Sequence, residues 1–298
     1  MTNPNEPRHT ILNRAELPGA LRAFAELYIG PFGETEFRGW PHAEASVWAL
    51  GAEPTAFFKV FKQPRKFVQE RRAYREWLPH LDATPNLLGE SETHSALLVS
   101  AVPGKNVDDV LLTSEETLTT YRQVGTFLQR LHTLPFEDDN LVPLLEDYRR
   151  RAKTWLARAE GLLEPDLIAW VTERAAEAAD LLEQMNPVRV PCHRDYTARN
   201  WLVDVTDGVK LSVVDFKHSR PDFWLFDIEK LVMEVGGTRL EAAFWQGYGT
   251  SLTDAETRVL ERYSALNALS TVIWAREHGD EAFEADGRRG LAELHNGH

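Results

Sequence analysis

The run from His193 to Asn200 reads HRDYTARN and leads straight into two β-rich runs, WLVDV and VKLSVVDF, the second of which carries Asp215 near its end. An Asp207-Gly208 dipeptide lies between the runs and favours a two-residue turn. A turn there sets Asn200 opposite Asp215. A carboxylate and a carboxamide oxygen then share one end of a hairpin, and they are hard oxygen ligands of the kind Mg²⁺ takes beside water and phosphate oxygens. Asp195 lies a few residues upstream, where a loop can aim its carboxylate at a hydroxyl. Each of these is an ordinary turn residue when taken alone. Together, and in this setting of loop, strand, turn and strand, they predict phosphoryl transfer with Asp195 as catalytic base.

A cation is needed near such phosphates, and Lys59 in the run TAFFKVF is the candidate. It shares a strand face with Phe57 and Phe61 by period-two alternation. The segment FVQERRAYREWLPHL that follows places Phe67, Glu70, Tyr74, Trp77 and Leu81 on one helical stripe. Glu70 is thus a carboxylate on an apolar face, and burying it unpaired costs several kcal/mol. Lys59 is its expected partner, because Glu76 falls on the polar side of the same helix with Gln69, Arg72 and His80. A lysine held this way can be presented to nucleotide phosphates.

The elements that position these residues follow from periodicity and turn signals. After a helix around residues 20–29, the runs FRGW, ASVWAL and TAFFKVF suggest an antiparallel meander, with Pro41 and His42 between the first two and GAEP between the second and third. ALLVSAV reads as a buried strand ended by Pro103 and Gly104. Beyond it the pattern is mostly helical, with Val124, Phe127, Leu128 and Leu131 on one face and the two runs around Asp207-Gly208 as the one clear interruption. A strand-rich first part, residues 1–102, joined to a helical second part, residues 103–298, is an α+β layout with two lobes, and a cleft between lobes is a natural ligand site.

Composition narrows the functional class. The net charge is −13, against the basic face expected of a nucleic-acid binder. Residues 1–102 carry 11 basic and 12 acidic side chains, whereas residues 103–298 carry 22 and 34, a field that favours a cationic ligand. The single cysteine, Cys192, excludes an intrachain disulfide, and the polar start MTNPNEPRHT shows no signal-peptide pattern, so a reducing cytoplasm is expected. No apolar run approaches membrane-spanning length. Cys192 is expected to be a buried structural thiol, His132 a satisfied core histidine, and Trp201, Trp224 and Trp245 core residues.

These residues resemble the aminoglycoside phosphotransferase and choline kinase-like family, which is distantly similar to protein kinases. The resemblance covers most of the chain: Lys59, Glu70, ALLVSAVPG, FLQRLHTLP, HRDYTARN, VVDF, FDIEKL and FWQGYG occur in the family's order. It implies a two-lobed protein kinase-like fold, with a small antiparallel β-sheet N-lobe and a larger, mainly helical C-lobe, and with ATP or GTP held between them. By that resemblance the backbone at Ser100 and Val102 would meet the purine, and Lys59 with Glu70 would orient the phosphates. Asp195 would accept or position the acceptor hydroxyl, Asn200 and Asp215 would bind Mg²⁺, and Asp227 would brace the catalytic loop.

Three departures from kinase patterns matter. No G-x-G-x-x-G run lies between FRGW and ASVWAL, an absence common in this family. Only 11 residues separate Asp215 from Asp227, with no A-P-E, so there is no room for an activation loop and protein substrates are not expected. Phe216-Lys217 follows Asp215 where related proteins often carry an acidic residue or glycine. Arg194 completes an H-R-D but, without an activation loop, is expected to be structural. The acceptor expected is a small hydroxyl compound, with a cationic aminoglycoside or related antibiotic first and a metabolic substrate such as choline, an amino alcohol, an amino acid or a sugar second. A non-catalytic nucleotide-binding regulator, with no nucleic-acid or membrane partner, is the alternative from another class.

Overall fold

The structure is a computed structural model that describes residues 16–39 and 43–297. Trp40, Pro41 and His42, on the connection expected between the first two strands, lie outside the described residues, as does the polar start. The chain divides into two compact units. One gathers Met1–Phe136, His193–Arg220 and Gly237–Gly249; the other gathers Glu137–Cys192, Pro221–Gly236 and Thr250–His298.

The first unit begins with helix α1 (Gly19–Ile29) and strands β1 (Thr35–Phe37), β2 (Ala45–Leu50) and β3 (Ala56–Phe61). The expected meander is present, with β2 against β3 in antiparallel register from Ala45 with Phe61 to Leu50 with Ala56. Its first strand ends at Phe37, where the FRGW run begins. Helix α2 (Pro64–Arg72) follows, widens through a π turn at Ala73–Trp77 and tightens into a 3₁₀ turn at Leu78–His80. Strands β4 (Leu87–Ser91) and β5 (Ala96–Ser100) complete a five-stranded sheet in the order β1-β2-β3-β5-β4. β4 was not evident in the sequence.

Alternation along β3 gives the sheet two different faces. Ala56, Phe58 and Val60 join Trp48, Leu50, Leu98, Leu21 and Ala25 in a core under α1. Burying each large apolar side chain there contributes about 1.5–3 kcal/mol. Lys59 points the other way, towards α2, whose stripe of Phe67, Glu70, Tyr74, Trp77 and Leu81 is buried throughout.

A second sheet of the same unit pairs the short β6 (Lys105–Asn106) with β8 (Trp201–Asp204) and β8 with β9 (Lys210–Val213). Between β6 and β8 in sequence runs helix α3 (Ser114–His132), opened by a capping box of Thr113 and Glu116. The Gln123 side chain donates to Val209 O at 2.6 Å and accepts from Leu211 N–H at 2.8 Å, so α3 fixes the hairpin. Tyr196 of the HRDYTARN segment donates its hydroxyl to Val124 O at 2.8 Å. His132 is buried and paired through Nδ1 with the Tyr248 hydroxyl at 2.8 Å, a core histidine as expected.

The second unit is mainly helical: α4 (Leu144–Ala159), α5 (Pro165–Met185), α6 (Leu225–Val235), α8 (Asp254–His278) and α9 (Glu281–Asn296), with α8 packed against the other four. Phe226 stacks on Tyr263 with ring centroids 4.1 Å apart. Short strands β7 (Val190–Cys192) and β10 (Arg220–Asp222) add to the interruptions of the helical pattern. Cys192 is fully buried, with Sγ donating to Asp222 O at 3.5 Å. Among the described residues no helix is long and apolar enough to cross a membrane.

Helix α7 (Arg239–Tyr248) belongs to the first unit and crosses α3 at two glycines. A Cβ on Gly125 would lie 2.1 Å from Phe244 O, and one on Gly247 would lie 1.8 Å from Arg122 O. Both obstacles are backbone, so neither can rotate away. Gly247→Ala is expected to destabilise the protein by about 3 kcal/mol, at the upper end of overpacking costs, read as a lowered urea midpoint. A loss below about 1 kcal/mol would show that the two helices separate freely.

Candidate active site

The Lys59 ammonium lies between two carboxylates from distant segments. It donates to Glu70 Oε1 at 2.5 Å and to Asp215 Oδ1 at 3.0 Å. Lys217 contacts the other oxygen of the same carboxylate, Asp215 Oδ2. Burial opposes the Lys59 ammonium, but Asp215 and Glu70 outweigh it and hold its pKa above the ordinary lysine value. Burial likewise opposes ionisation of Asp215, yet Lys217 and Lys59 hold its carboxyl well below the usual range. Glu70 is fully buried, and that burial pushes its carboxyl up despite Lys59. Of the two carboxyl groups on Lys59, Asp215 is therefore the more firmly ionised.

The residues of the HRDYTARN segment meet around Asp195. Asn200 donates through Nδ2 to Asp195 O at 2.7 Å and to Asp195 Oδ2 at 3.1 Å. Both partners are acceptors, which fixes the amide orientation and turns Asn200 Oδ1 away from Asp195. Arg199 donates to Asp195 Oδ1 at 2.5 Å from an exposed position. His193 is paired through Nε2 with Val214 O at 3.0 Å and through Nδ1 with the Asp195 N–H at 3.3 Å. The latter is an acceptor role, so Nε2 carries the proton. His193 thus ties the loop to the strand that delivers Asp215.

The hairpin register differs from expectation by one residue. The pairs run from Trp201 with Val213 to Asp204 with Lys210, and Val214 N–H donates to Asn200 O at 3.1 Å. Asn200 therefore sits opposite Val214. The cause is local: Asp204 Oδ1 accepts from Thr206 N–H at 3.0 Å and from its hydroxyl at 2.7 Å. This Asx turn captures the chain before Asp207-Gly208 can close a two-residue loop. Asp215 still reaches the site, because it leaves the strand in the left-handed region at φ 69°. Arg194 is left-handed too, at φ 64°. For non-glycine residues such conformations cost about 1–3 kcal/mol each and collect at functional sites.

Fit to a divalent cation follows from donor chemistry. Asn200 Oδ1 and the Asp215 carboxylate are hard oxygens of the type magnesium takes, and hydrogen bonding fixes the amide the right way round. Ser100 ends β5, its N–H donating to Asn86 O and its Oγ accepting from Asn86 N–H, each at 2.9 Å; Ala101 N–H donates to Thr55 O. Val102 follows directly. Asp227 is buried in the first turn of α6, in the other unit.

One cluster was not foreseen. Lys66 Nζ lies 2.7 Å from His218 Nδ1, and His218 Nε2 lies 3.0 Å from Glu44 Oε2. Lysine has only donors, so His218 accepts through Nδ1 and donates to Glu44 through Nε2. Burial pushes the His218 pKa down, in keeping with a neutral ring. Burial opposes Glu44, but the hydrogen bond of His218, the charge of that ring once it is protonated in acid, and the charges of Lys66 and Lys217 bring its carboxyl down to about 2. The cluster ties the segment after Asp215 to α2 and to the entry of β2. Its members come from three separate segments, so no spacing announces it.

A model of the phosphotransferase enzyme family matches residues 38–263. No curated protein sequence matches the chain. Among solved structures, the GDP and kanamycin complex of APH(2")-IIia matches with a TM-score of 0.75 at 14% identity, covering 93% of this chain and 99% of that one. A choline/ethanolamine kinase family protein from Mesorhizobium loti matches with a TM-score of 0.70 at 17% identity, covering 93% of each chain. Spectinomycin phosphotransferase in complex with ADP and its antibiotic matches with a TM-score of 0.61 at 13% identity, covering 94% of this chain and 95% of that one. The fold is protein kinase-like, with a small antiparallel sheet in the N-terminal part and a mostly helical remainder.

Removing one partner of the buried pair should cost more than replacing both. Glu70→Leu is expected to destabilise by about 3 kcal/mol, and Lys59→Met combined with Glu70→Leu by less than that. Denaturant unfolding of the four proteins in the cycle measures this, and additive losses would show that the pair is not coupled. For Glu44, a depressed folded pKa gives stability that is complete above the ordinary value of 4.5 and lost as pH falls towards about 2. Glu44→Gln should therefore lie about 3 kcal/mol below the parent protein at pH 7, with the gap closing through that acid window. A gap independent of pH would remove the charge from the account.

Proposed function

The chain belongs to the phosphotransferase enzyme family, and we propose that it transfers the γ-phosphoryl group of ATP or GTP, with Mg²⁺, to a hydroxyl of a cationic small molecule. An aminoglycoside or related antibiotic is the favoured acceptor. The observation that carries this reading is the meeting, within one compact unit, of Asp195 and Asn200 with a carboxylate, Asp215, that shares the Lys59 ammonium with Glu70.

Each residue has a part in the transfer. Lys59, held by Glu70, presents its ammonium to the triphosphate. Asn200 and Asp215 would hold the metal, which when bound neutralises charge on the phosphate oxygens. Asp195 orients the acceptor hydroxyl and takes its proton as the acceptor oxygen bonds to the γ-phosphorus and the bond to the β-phosphate oxygen breaks. Most of the rate in such a reaction comes from positioning and electrostatics. Asn200 and Arg199 hold the Asp195 carboxylate in place for this step. The backbone at Ser100 and Val102 receives the purine, and residues 1–102 and 103–298 act as nucleotide and acceptor lobes.

The cationic acceptor is supported by the acidity of residues 103–298, which carry 34 acidic against 22 basic side chains, and by the likeness to structures bound to kanamycin and spectinomycin. Among the buried acidic residues of that stretch, Asp222 is paired, since Arg151 takes both its oxygens at 2.8 and 3.0 Å. Asn267 holds buried Glu229 at 2.5 Å. A metabolic acceptor such as choline or an amino alcohol is the second reading, favoured by the likeness to the choline/ethanolamine kinase family protein.

Release of nucleoside diphosphate from ATP or GTP with Mg²⁺, across aminoglycosides, cyclic peptide antibiotics, choline, amino alcohols and sugars, should show one strong acceptor. Asp195→Ala should lower that turnover by about 10³-fold while leaving nucleotide affinity nearly intact. Undiminished turnover in the variant would remove Asp195 from its role.

A further inference from the structure

Both oxygens of Asp215 carry an ammonium, but only one of the two lysines has an evident task. Lys59 also meets Glu70 and belongs to the phosphate-orienting pair. Lys217 stands two residues beyond Asp215, with its side chain 18% exposed and set against Asp215 Oδ2. It is held there by construction. The left-handed backbone of Asp215 turns the chain into a single 3₁₀ turn, Phe216–His218. Phe216 is fully buried, with its ring 4.5 Å from that of His193. His218 is fixed by Lys66 and Glu44. Lys217 lies between these two anchored residues, and its ammonium is folded back over its neighbour's carboxylate. The ammonium therefore lies on the carboxylate proposed to hold the metal.

Charge balance gives this position a use. Lys59, Lys217 and Arg199 stand against Glu70, Asp215 and Asp195, so the set is neutral with Lys217 included. Asp215 is already paired through Lys59, so the Lys217 ammonium can leave it without stranding a buried, unpaired carboxylate. An anion of several charges then offers that ammonium a stronger partner. A flexible lysine is suited to that exchange, because its three donors swing on a four-carbon stem.

Resting on the phosphotransfer reading above, we propose that Lys217 is a phosphate-binding residue: its ammonium occupies Asp215 in the nucleotide-free chain and passes to the terminal phosphoryl group when a nucleoside triphosphate binds. It then supplies charge neutralisation from the chain itself, and nucleotide binding depends only shallowly on divalent metal. In the free chain the same ammonium competes with a metal ion for Asp215.

The test is calorimetric titration of the full chain, and of Lys217→Met and Lys217→Arg, with ATP, GTP and the corresponding diphosphates, in EDTA and at saturating Mg²⁺. Mn²⁺ titration of the nucleotide-free proteins accompanies it. In EDTA, Lys217→Met should weaken triphosphate binding about tenfold or more, the loss of one charge-assisted contact, with a smaller loss for the diphosphate and at saturating Mg²⁺. Lys217→Arg should recover most of the affinity. Mn²⁺ should bind the nucleotide-free Met variant more tightly than the parent chain, an opposite change that misfolding or a merely structural role does not produce. Equal losses for di- and triphosphate, or an unchanged metal dependence in Lys217→Met, overturn the role of Lys217 alone. A parent chain that binds neither nucleotide, with or without Mg²⁺, overturns the phosphotransfer reading and this inference with it.

Discussion

An ammonium taken out of water must find carboxylates, and in this protein those carboxylates come from segments far apart in the chain. Lys59 is 8% exposed and Glu70 is completely buried. Neither is tolerable alone, since an unpaired buried charge costs several kcal/mol. Pairing them fixes α2 against the face of β3 opposite the apolar core, and the demand of the same ammonium for Asp215 brings in the end of the β8–β9 hairpin. Phe67, Tyr74 and Trp77 then fill the space around the pair, with Tyr74 and Phe216 ring centroids 6.5 Å apart. The apolar packing supplies most of the stability, while the ion pair decides which surfaces pack. That division explains why a pair of doubtful net worth to stability is built into the centre of the unit.

The loop bearing Asp195 is under a different constraint, because two of its neighbours along the path, Arg194 and Asp215, hold left-handed backbones that their side chains disfavour. Such strain persists only where surrounding contacts over-determine it. Here those contacts are Tyr196 on α3, His193 on Val214 O, Gln123 on the hairpin and Asn200 on Asp195. Helix α3 is therefore a brace as well as a core element. Its close crossing with α7 through Gly125 and Gly247 keeps that brace from moving.

Much of this was legible in the sequence because it was written in periodicity. ASVWAL is β2 without adjustment, the stripe from Phe67 to Leu81 is buried throughout, and Glu70 on that stripe pointed to Lys59. What failed did so where local chemistry competes with pattern. The Asx turn of Asp204 overrode the stronger-looking Asp207-Gly208 signal and moved the register by one residue. β4, with the sequence LLGES, carries a register shift between Leu87 and Gly89 and lacks clean alternation, so only its pairing with β5 identifies it. Glu44, Lys66 and His218 each look like surface polar residues in sequence and become a cluster only through tertiary contact. Lys217 stood out as an unusual residue after Asp215, but its contact depends on a backbone angle that no spacing encodes.

The placement of cations resolves an apparent conflict between a chain of net charge −13 and a polyanionic nucleotide. Repulsion over the whole chain matters less than the potential where phosphates would lie, since charges more than about 8–10 Å apart are screened at physiological salt. Around the segment after Asp215 that potential is set by Lys59, Lys66 and Lys217 with Arg65 and Arg220 near them. Lys66 reports it: burial and the crowding of Lys217, Arg65 and Arg220 bring its pKa down to about 8 even though Glu44 opposes them. Burial is the larger cause, and the neighbouring cations add to it. The excess of acidic residues falls instead in residues 103–298, where it favours a ligand of opposite sign. An acidic chain can thus gather positive potential locally, where Lys59 and Lys217 share Asp215 and Lys66 lies beside Glu44 and His218.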